Sequence, residues 1–521
     1  MQVVLPSSDD PVVRGAVRAL GGPPGQHAAA RARRFWTPVR WLVLLTLVTC
    51  LFGWWQKSPC RVQPWEQEYQ YTRGCYTDVF ALYFAEELNA GKMPYLEHAV
   101  EYPVVIGAVM AVAAEVVEVL PADVRPRHFY DVTWALLTAC ALVVVVTTAR
   151  LAGRRPWDAA MFALSPLLLL HGSTNWDLVA MALVGLGLLQ WARRRPLAAG
   201  LLLGVATATK LYPVLFLVPL LALCLRAGRL RAFAVTAVAV VVTPVLLSLP
   251  VYATSPYFAS DASTVVAASP LERLGTDGLS AFAPTVEVGG VEGTNAAYRF
   301  FDLNQTRPAD WDSLWFALQD LRGQALDSPA AGEPPSSLNL GVAVLLVLAL
   351  AAVVVLALRA PRRPRLMPLL FLTVLAFLIT NKVWSPQFSL WLVPLALLAH
   401  PRWRPFLAWQ AAEAVLLAGR FYFFVGMDEP GEGIGTPVFL TAVVVRDVAL
   451  LVFAAFVVRD VLRPDLDVVR ADGVDDPQGG VLDGAPDRVR RPVTPGPVTL
   501  APVTPAPVTP GPVKPGPVTG A

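Results

Sequence analysis

Long apolar blocks recur along this chain, near residues 39–55, 102–120, 130–149, 157–171, 177–192, 197–209, 211–226, 232–250, 338–358, 366–380, 388–400, 406–425 and 437–458. An α-helix needs about twenty apolar residues to cross a hydrocarbon layer roughly 30 Å thick. Within lipid, a backbone satisfies its own polar groups only as helices or as a closed barrel, and these blocks are continuous rather than alternating, so helices are implied. With 521 residues, 55% of them hydrophobic and only 16% charged, the chain carries more apolar surface than soluble cores could bury. The expectation is an all-α, polytopic transmembrane bundle of about twelve spans, within a range of about eleven to thirteen.

Charge sets the orientation. Arginines cluster at 150–155, 193–195, 226–231, 359–365, 402–404 and 459–463, and by the positive-inside rule these mark cytoplasmic turns. The outward segments are then 56–101, His171–Asp177, Lys210–Pro213, 251–337, Asn381–Gln387 and Gly426–Pro437. Three blocks precede the Arg150 cluster, an odd number between two cytoplasmic points. Either the block carrying Glu115 and Glu118 fails to cross, or residues 150–155 break the charge rule. Residues 1–34 read as a disordered cytoplasmic lead, 35–464 as the membrane domain, and 465–521 as a disordered cytoplasmic tail that turns from acidic to a PVTPG-like repeat. The first block comes late and lacks a small-residue cleavage site, so it reads as an anchor. A net charge of +3, spread along the chain, gives no footing for nucleic acid. Cys60 and Cys75 flank an outward loop where a disulfide is compatible with the compartment, and the five scattered histidines form no metal-ligand pattern.

Polar groups are costly at membrane depth, so those bordering the apolar blocks are the natural functional candidates. Five such clusters fall on the outward side: Asp78, Glu101-Tyr102-Pro103, Asn175-Trp176-Asp177, Lys210-Leu211-Tyr212-Pro213 and Asn381 to Gln387. Asp78 begins a short helical pattern whose apolar positions Val79, Leu82, Tyr83 and Leu88 suggest a helix lying along the interface. Taken alone it reads equally well as a first-turn acid that favours a helix start. The same competing reading applies to Glu101 and Asp177, and snorkelling competes for Arg420. Lys210 and Lys382 stand at outward turns in a chain with 5 lysines among its 42 basic residues, where positive-inside bias would not put them. A lysine binds phosphate as a point charge, which makes a lipid-linked phosphate a sensible partner; headgroup anchoring is the alternative. Tyr298, Arg299, Phe300, Trp311 and Trp315 in 251–337 read either as a cover for the site or as interfacial packing.

The segments CYTDVFALY at 75–83, EYPVV at 101–105, HGSTNWD at 171–177, GVATATKLYPV at 204–214, NKVWSPQF at 381–388 and RFYFF at 420–424 together resemble the GT-C class of integral membrane glycosyltransferases. The resemblance is greatest to the actinobacterial family 87 of polyprenol-phosphate-mannose-dependent α-mannosyltransferases, and spans about residues 40–460. It implies transfer of a sugar, mannose in that family, from a polyprenyl-phosphate donor to a hydroxyl of a lipid-linked or cell-envelope glycan, with inversion and with Asp78 as general base. Donor phosphate would then be bound by Lys210, Lys382 and Arg420, and substrate by Glu101, Tyr102, Asn175, Asp177, Tyr212 and Gln387. Val79 and Phe80 follow Asp78, so the paired acid that other GT-C members use for metal is missing, and neither metal nor cofactor is implied. The expected location is the plasma membrane, with the site on the outer face and both termini cytoplasmic. Arabinofuranose on the same carrier is the alternative sugar. A transporter or flippase of a lipid-linked sugar is the alternative activity, although no internal repeat is evident.

Overall fold

The apolar blocks become helices in the computed structural model, which describes residues 10–21, 36–61, 65, 68–327, 329, 333–428 and 431–488. Among the described residues, five segments are long and apolar enough to cross a bilayer by themselves: Pro38–Arg61, Arg125–Leu151, Leu230–Thr254, Ser336–Arg359 and Thr436–Leu462. Ser336–Arg359 has a mean hydropathy of 3.1 and leaves Leu340, Val344, Val347, Leu348 and Val355 uncovered. A continuous apolar face of that kind belongs against lipid.

Other blocks form shorter apolar helices: Asp177–Ala192, Pro196–Thr209, Tyr212–Ala227, Leu366–Thr380 and Pro386–Ala399. The 14-residue Pro196–Thr209 rises about 21 Å at 1.5 Å per residue, which ends it inside a layer of roughly 30 Å. Val104–Glu118, with 15 residues, is equally short. About twelve crossings therefore does not mean twelve full-length helices. The shortness has a use: it draws the polar turns at Lys210 and Asn381–Ser385 inward, among the other helices. Pro196–Thr209 sinks between Asp177–Ala192 and Leu230–Thr254, and a Cβ on Gly200 or Gly204 would overlap Thr236, Ala239 or Thr243. Small residues four apart thus let the backbones approach, as membrane packing favours.

The segment 251–337, expected to face outward, is folded. Strands Tyr257–Phe258, Val265–Ala267, Thr285–Val288 and Val291–Asn295 form a small antiparallel sheet in the order second, first, fourth, third. Its hairpin pairs Val288 with Val291 across Gly289 and Gly290, both at positive φ (62° and 80°), as a two-residue primed turn requires. Helices Arg299–Thr306 and Leu314–Arg322 follow and lean on the membrane bundle, where Trp315 Nε1 donates to the Thr380 carbonyl at 2.9 Å.

Within the ends expected to be disordered, residues 10–21 and 465–488 are described and structured. Pro11–Gly21 is helical, and Asp10 caps it by accepting from Val12 N at 2.9 Å while its other oxygen accepts from Trp403 N at 3.2 Å. Residues 464–488 pack onto the arginine-bearing end of the bundle, where Arg365 pairs with Asp467 (2.7 Å), Arg363 with Asp475 (2.7 Å) and Arg226 with Asp487 (2.6 Å). Leu482, Asp476 and Gln478 are buried there. Buried guanidinium groups need partners, and this acidic stretch supplies them. Residues 1–9, 22–35 and 489–521, including the PVTPG-like repeat, lie outside the described residues.

Candidate active site

Asp78 opens helix Asp78–Ala85, outside the membrane-spanning segments, and its position is fixed from several sides. Thr77 caps the helix through its hydroxyl, which accepts from Val79 N at 3.2 Å and donates to the Ser173 carbonyl at 2.9 Å. The Asp78 backbone N–H donates to the Thr174 carbonyl at 2.9 Å. Upstream, Cys60 and Cys75 form a disulfide, and Lys57 Nζ donates to the Tyr76 carbonyl at 2.6 Å. The apolar face that suggested an interfacial helix is covered by protein. Val79, Tyr83 and Leu88 are buried in the protein, with Tyr83 against Phe129 at 4.5 Å, so neighbouring helices rather than lipid cover the apolar face.

The carboxylate itself is held by side chains from distant segments. Asp78 Oδ2 accepts from Asn175 Nδ2 at 2.7 Å and from Gln387 Nε2 at 3.2 Å, and Tyr76 adds a third hydrogen bond. Burial pushes the Asp78 carboxyl above the usual carboxylate range; the bonds from Asn175 and Tyr76, and the nearby charge of Lys210, pull the other way. Asn175 Nδ2 also donates to the Tyr102 hydroxyl at 2.7 Å, and its Oδ1 accepts from Lys210 Nζ at 3.3 Å. Lys210 lies 3.5 Å from buried Asp177, whose same oxygen accepts from Trp391 Nε1 at 2.8 Å. One connected polar network therefore joins Asp78, Tyr102, Asn175, Asp177, Lys210 and Gln387, drawn from all five sequence clusters.

Two cavities meet at Asp78. Tyr76, Asp78, Ser385 and Gln387 line both. The larger, about 620 Å³, is walled by Leu211, Val214, Phe300, Val342, Leu346 and Phe377, with Glu101, Lys210, Arg307 and Lys382 as its charged groups. The smaller, about 380 Å³, combines the rings of Tyr71, Trp311, Phe421 and Phe424 with Lys57, His171, Asp310 and Arg420.

The expected site residues divide between these spaces. Tyr102 and Tyr212 line the larger cavity with Glu101, which pairs with Arg307 at 2.7 Å. Lys382 Nζ donates to the carbonyls of Arg307 (2.6 Å) and Gln305 (3.1 Å), and burial, helped by the neighbouring Arg307 charge, lowers its pKa to about 8. Asn175 and Asp177 sit behind the walls and act through Asp78 and Lys210 rather than facing a cavity. Arg420 does not join the two lysines: it lines the smaller cavity and is ion-paired with buried Asp312. Of the aromatic residues in 251–337, Phe300 lines the larger cavity and Trp311 the smaller, while Trp315 packs against Gly341. Tyr76, Arg307, Lys57 and His171 were not singled out as site residues from the sequence. Tyr76 stands two residues from Asp78 and could have been read; Arg307 reaches the site only through the fold of the segment 251–337.

The profile described as glycosyltransferase family 87 matches residues 101–381, more than half of the chain. The chain belongs to this family. With its long apolar helices, this member of glycosyltransferase family 87 is a membrane protein. No curated protein matches it. Among solved structures, the Archaeoglobus fulgidus oligosaccharyltransferase in its apo form is similar at 11% identity and a TM-score of 0.36, over 80% of this chain. This family 87 chain spans only 56% of that protein. The matched residues 101–381 include Glu101, Tyr102, Asn175, Asp177, Lys210, Tyr212 and Arg307, whereas Asp78, Lys382, Gln387 and Arg420 lie outside them.

Proposed function

We propose that this protein transfers a sugar, mannose by its family resemblance, from a polyprenyl-phosphate donor to a hydroxyl of a lipid-linked or cell-envelope glycan on the outer face of the plasma membrane. The observation that carries the reading is the position of one carboxylate in a wall common to two cavities of different character. The larger, apolar-walled space with Lys210, Lys382 and Arg307 fits a lipid chain ending in phosphate. The smaller space, with its aromatic rings, fits a sugar-bearing acceptor. Arg420 then serves the acceptor side rather than the donor phosphate.

Leaving-group chemistry explains why one carboxylate suffices. A glycosidase must protonate a poor alkoxide and therefore needs two carboxyl groups. A polyprenyl phosphate departs as a stable anion that needs only charge compensation, here from the lysines. Asp78 takes the proton from the acceptor hydroxyl as its oxygen bonds to the anomeric carbon, and the C–O bond to phosphate breaks on the opposite face, inverting the linkage. Both termini are then cytoplasmic, consistent with the arginine clusters.

Purified protein in detergent, given radiolabelled polyprenyl-phosphate mannose and a glycolipid acceptor, should make labelled product. Donor binding without product in any detergent, together with lipid movement across sealed vesicles, would instead establish a flippase. Label moving from an arabinofuranosyl donor but not a mannosyl one would correct the sugar.

A further inference from the structure

At the arginine-bearing end of the bundle, a cavity of about 470 Å³ opens where helices Pro196–Thr209 and Leu230–Thr254 begin. The helix Pro196–Thr209 separates it from Lys210 by about 21 Å, so it is not part of the site around Asp78. Arg194, Arg229 and Arg231 line it, together with Gly228, Val481 and Asp483. A fourth guanidinium, that of Arg488, lies directly on Gly228, where any Cβ would overlap it. Three guanidinium groups thus line, and a fourth adjoins, a space whose lining includes one carboxylate.

That imbalance is local. The neighbouring buried arginines Arg226, Arg363 and Arg365 each have an aspartate from the C-terminal segment. Arg194, Arg229 and Arg231 are exposed, and their guanidinium groups have no hydrogen-bond or ion-pair partner among the described residues. Planar guanidinium forks suit a phosphate oxygen cluster, and basic pockets between membrane helices hold anionic headgroups.

The surroundings distinguish a lipid from a soluble phosphate. From the arginines, helix Leu230–Thr254 presents Val235, Val238, Val242, Val245 and Leu249 at alternating spacings of three and four residues, all exposed. Leu197 and Leu201, one turn apart on the adjoining helix, are exposed as well. An apolar strip therefore begins where the cationic cavity ends, as a headgroup followed by acyl chains requires.

We propose that this cavity binds the phosphate headgroup of an anionic diacyl phospholipid, with its chains laid along the uncovered face of Leu230–Thr254. The lipid would bridge the two helix starts and the docked C-terminal segment. Native mass spectrometry of the full chain in mild detergent tests this, with phosphatidylglycerol, phosphatidylcholine of the same chains and inorganic phosphate as probes. One saturating phosphatidylglycerol adduct is expected, undisturbed by inorganic phosphate. The triple variant Arg194→Ala, Arg229→Ala, Arg231→Ala should weaken it at least about tenfold, as loss of charge-assisted contacts predicts. A control triple at other exposed arginines, Arg359→Ala, Arg404→Ala, Arg463→Ala, should leave it unchanged. Equal binding of phosphatidylcholine, competition by inorganic phosphate, or equal loss in the control would each overturn the proposal. Should the first triple fold poorly, Val238→Gln keeps every arginine and must still weaken the adduct; unaltered binding there would also overturn it.

Discussion

Replacing Asn175 with alanine probes how the candidate base is tuned. The amide donates to Asp78 at 2.7 Å and to Tyr102 at 2.7 Å, and accepts from Lys210 at 3.3 Å. A hydrogen bond to a charged group contributes about 1.5–3 kcal/mol, so if that bond steadies the ionised base, kcat should fall about ten- to a hundredfold. The direction of the pH effect follows from the same contact. Asn175 lowers a carboxyl pKa that burial has raised, so its removal raises that pKa further and the ionised base persists only at higher pH. The acid limb of kcat should therefore move to higher pH, with part of the lost activity returning under alkaline conditions. Sugar transfer in detergent, followed at saturating donor across the titration range, reads both effects. A loss of kcat that is the same at every pH would refute the idea that Asn175 tunes Asp78.

Lys382→Met should raise the donor KM more than it lowers kcat. The parent enzyme should also lose donor affinity as pH rises through about 8, where Lys382 gives up its charge; this limb should be missing in the variant, and its persistence would assign the titration elsewhere. Asp467→Ala strips fully buried Arg365 of its carboxylate while the carbonyls of Leu398 and Ala399 remain. The expected loss is about 3 kcal/mol, the low end for an orphaned buried charge, read as a lower melting temperature in detergent; an unchanged value would show that the C-terminal segment contributes no stability there.

Much of this architecture was legible because its strongest constraint is local. An apolar run long enough to span lipid needs no knowledge of neighbours, and these runs are helical in the structure apart from 157–171, which is broken at Leu164 and Ser165 into short helical pieces. The polar clusters at 78, 101, 175, 210 and 381–387 were visible for the same reason: each interrupts or borders an apolar run where polarity is costly. Their partners were not visible. That Asn175 bridges Asp78 and Lys210 depends on three segments converging, and Arg307 reaches Glu101 across 206 positions of sequence. Arg420 resembled the lysines in charge, but Asp312 meets it on the other side of Asp78, and only the fold separates the two cavities. The C-terminal stretch misled for the opposite reason. Its acids and glycines suggest a chain with nothing to bury, yet they complement arginines that look like ordinary topological signals until their burial is seen.

The decisive measurement concerns a single oxygen. Asp78→Asn keeps the size of the side chain and can keep one acceptor for Asn175 or Gln387, but it cannot take a proton from the acceptor. Transfer of labelled sugar should fall by about a hundred- to ten-thousandfold, the contribution of a positioned general base, while the purified protein retains its abundance and its affinity for the polyprenyl-phosphate donor. Transfer at a rate close to that of the parent enzyme would contradict the account.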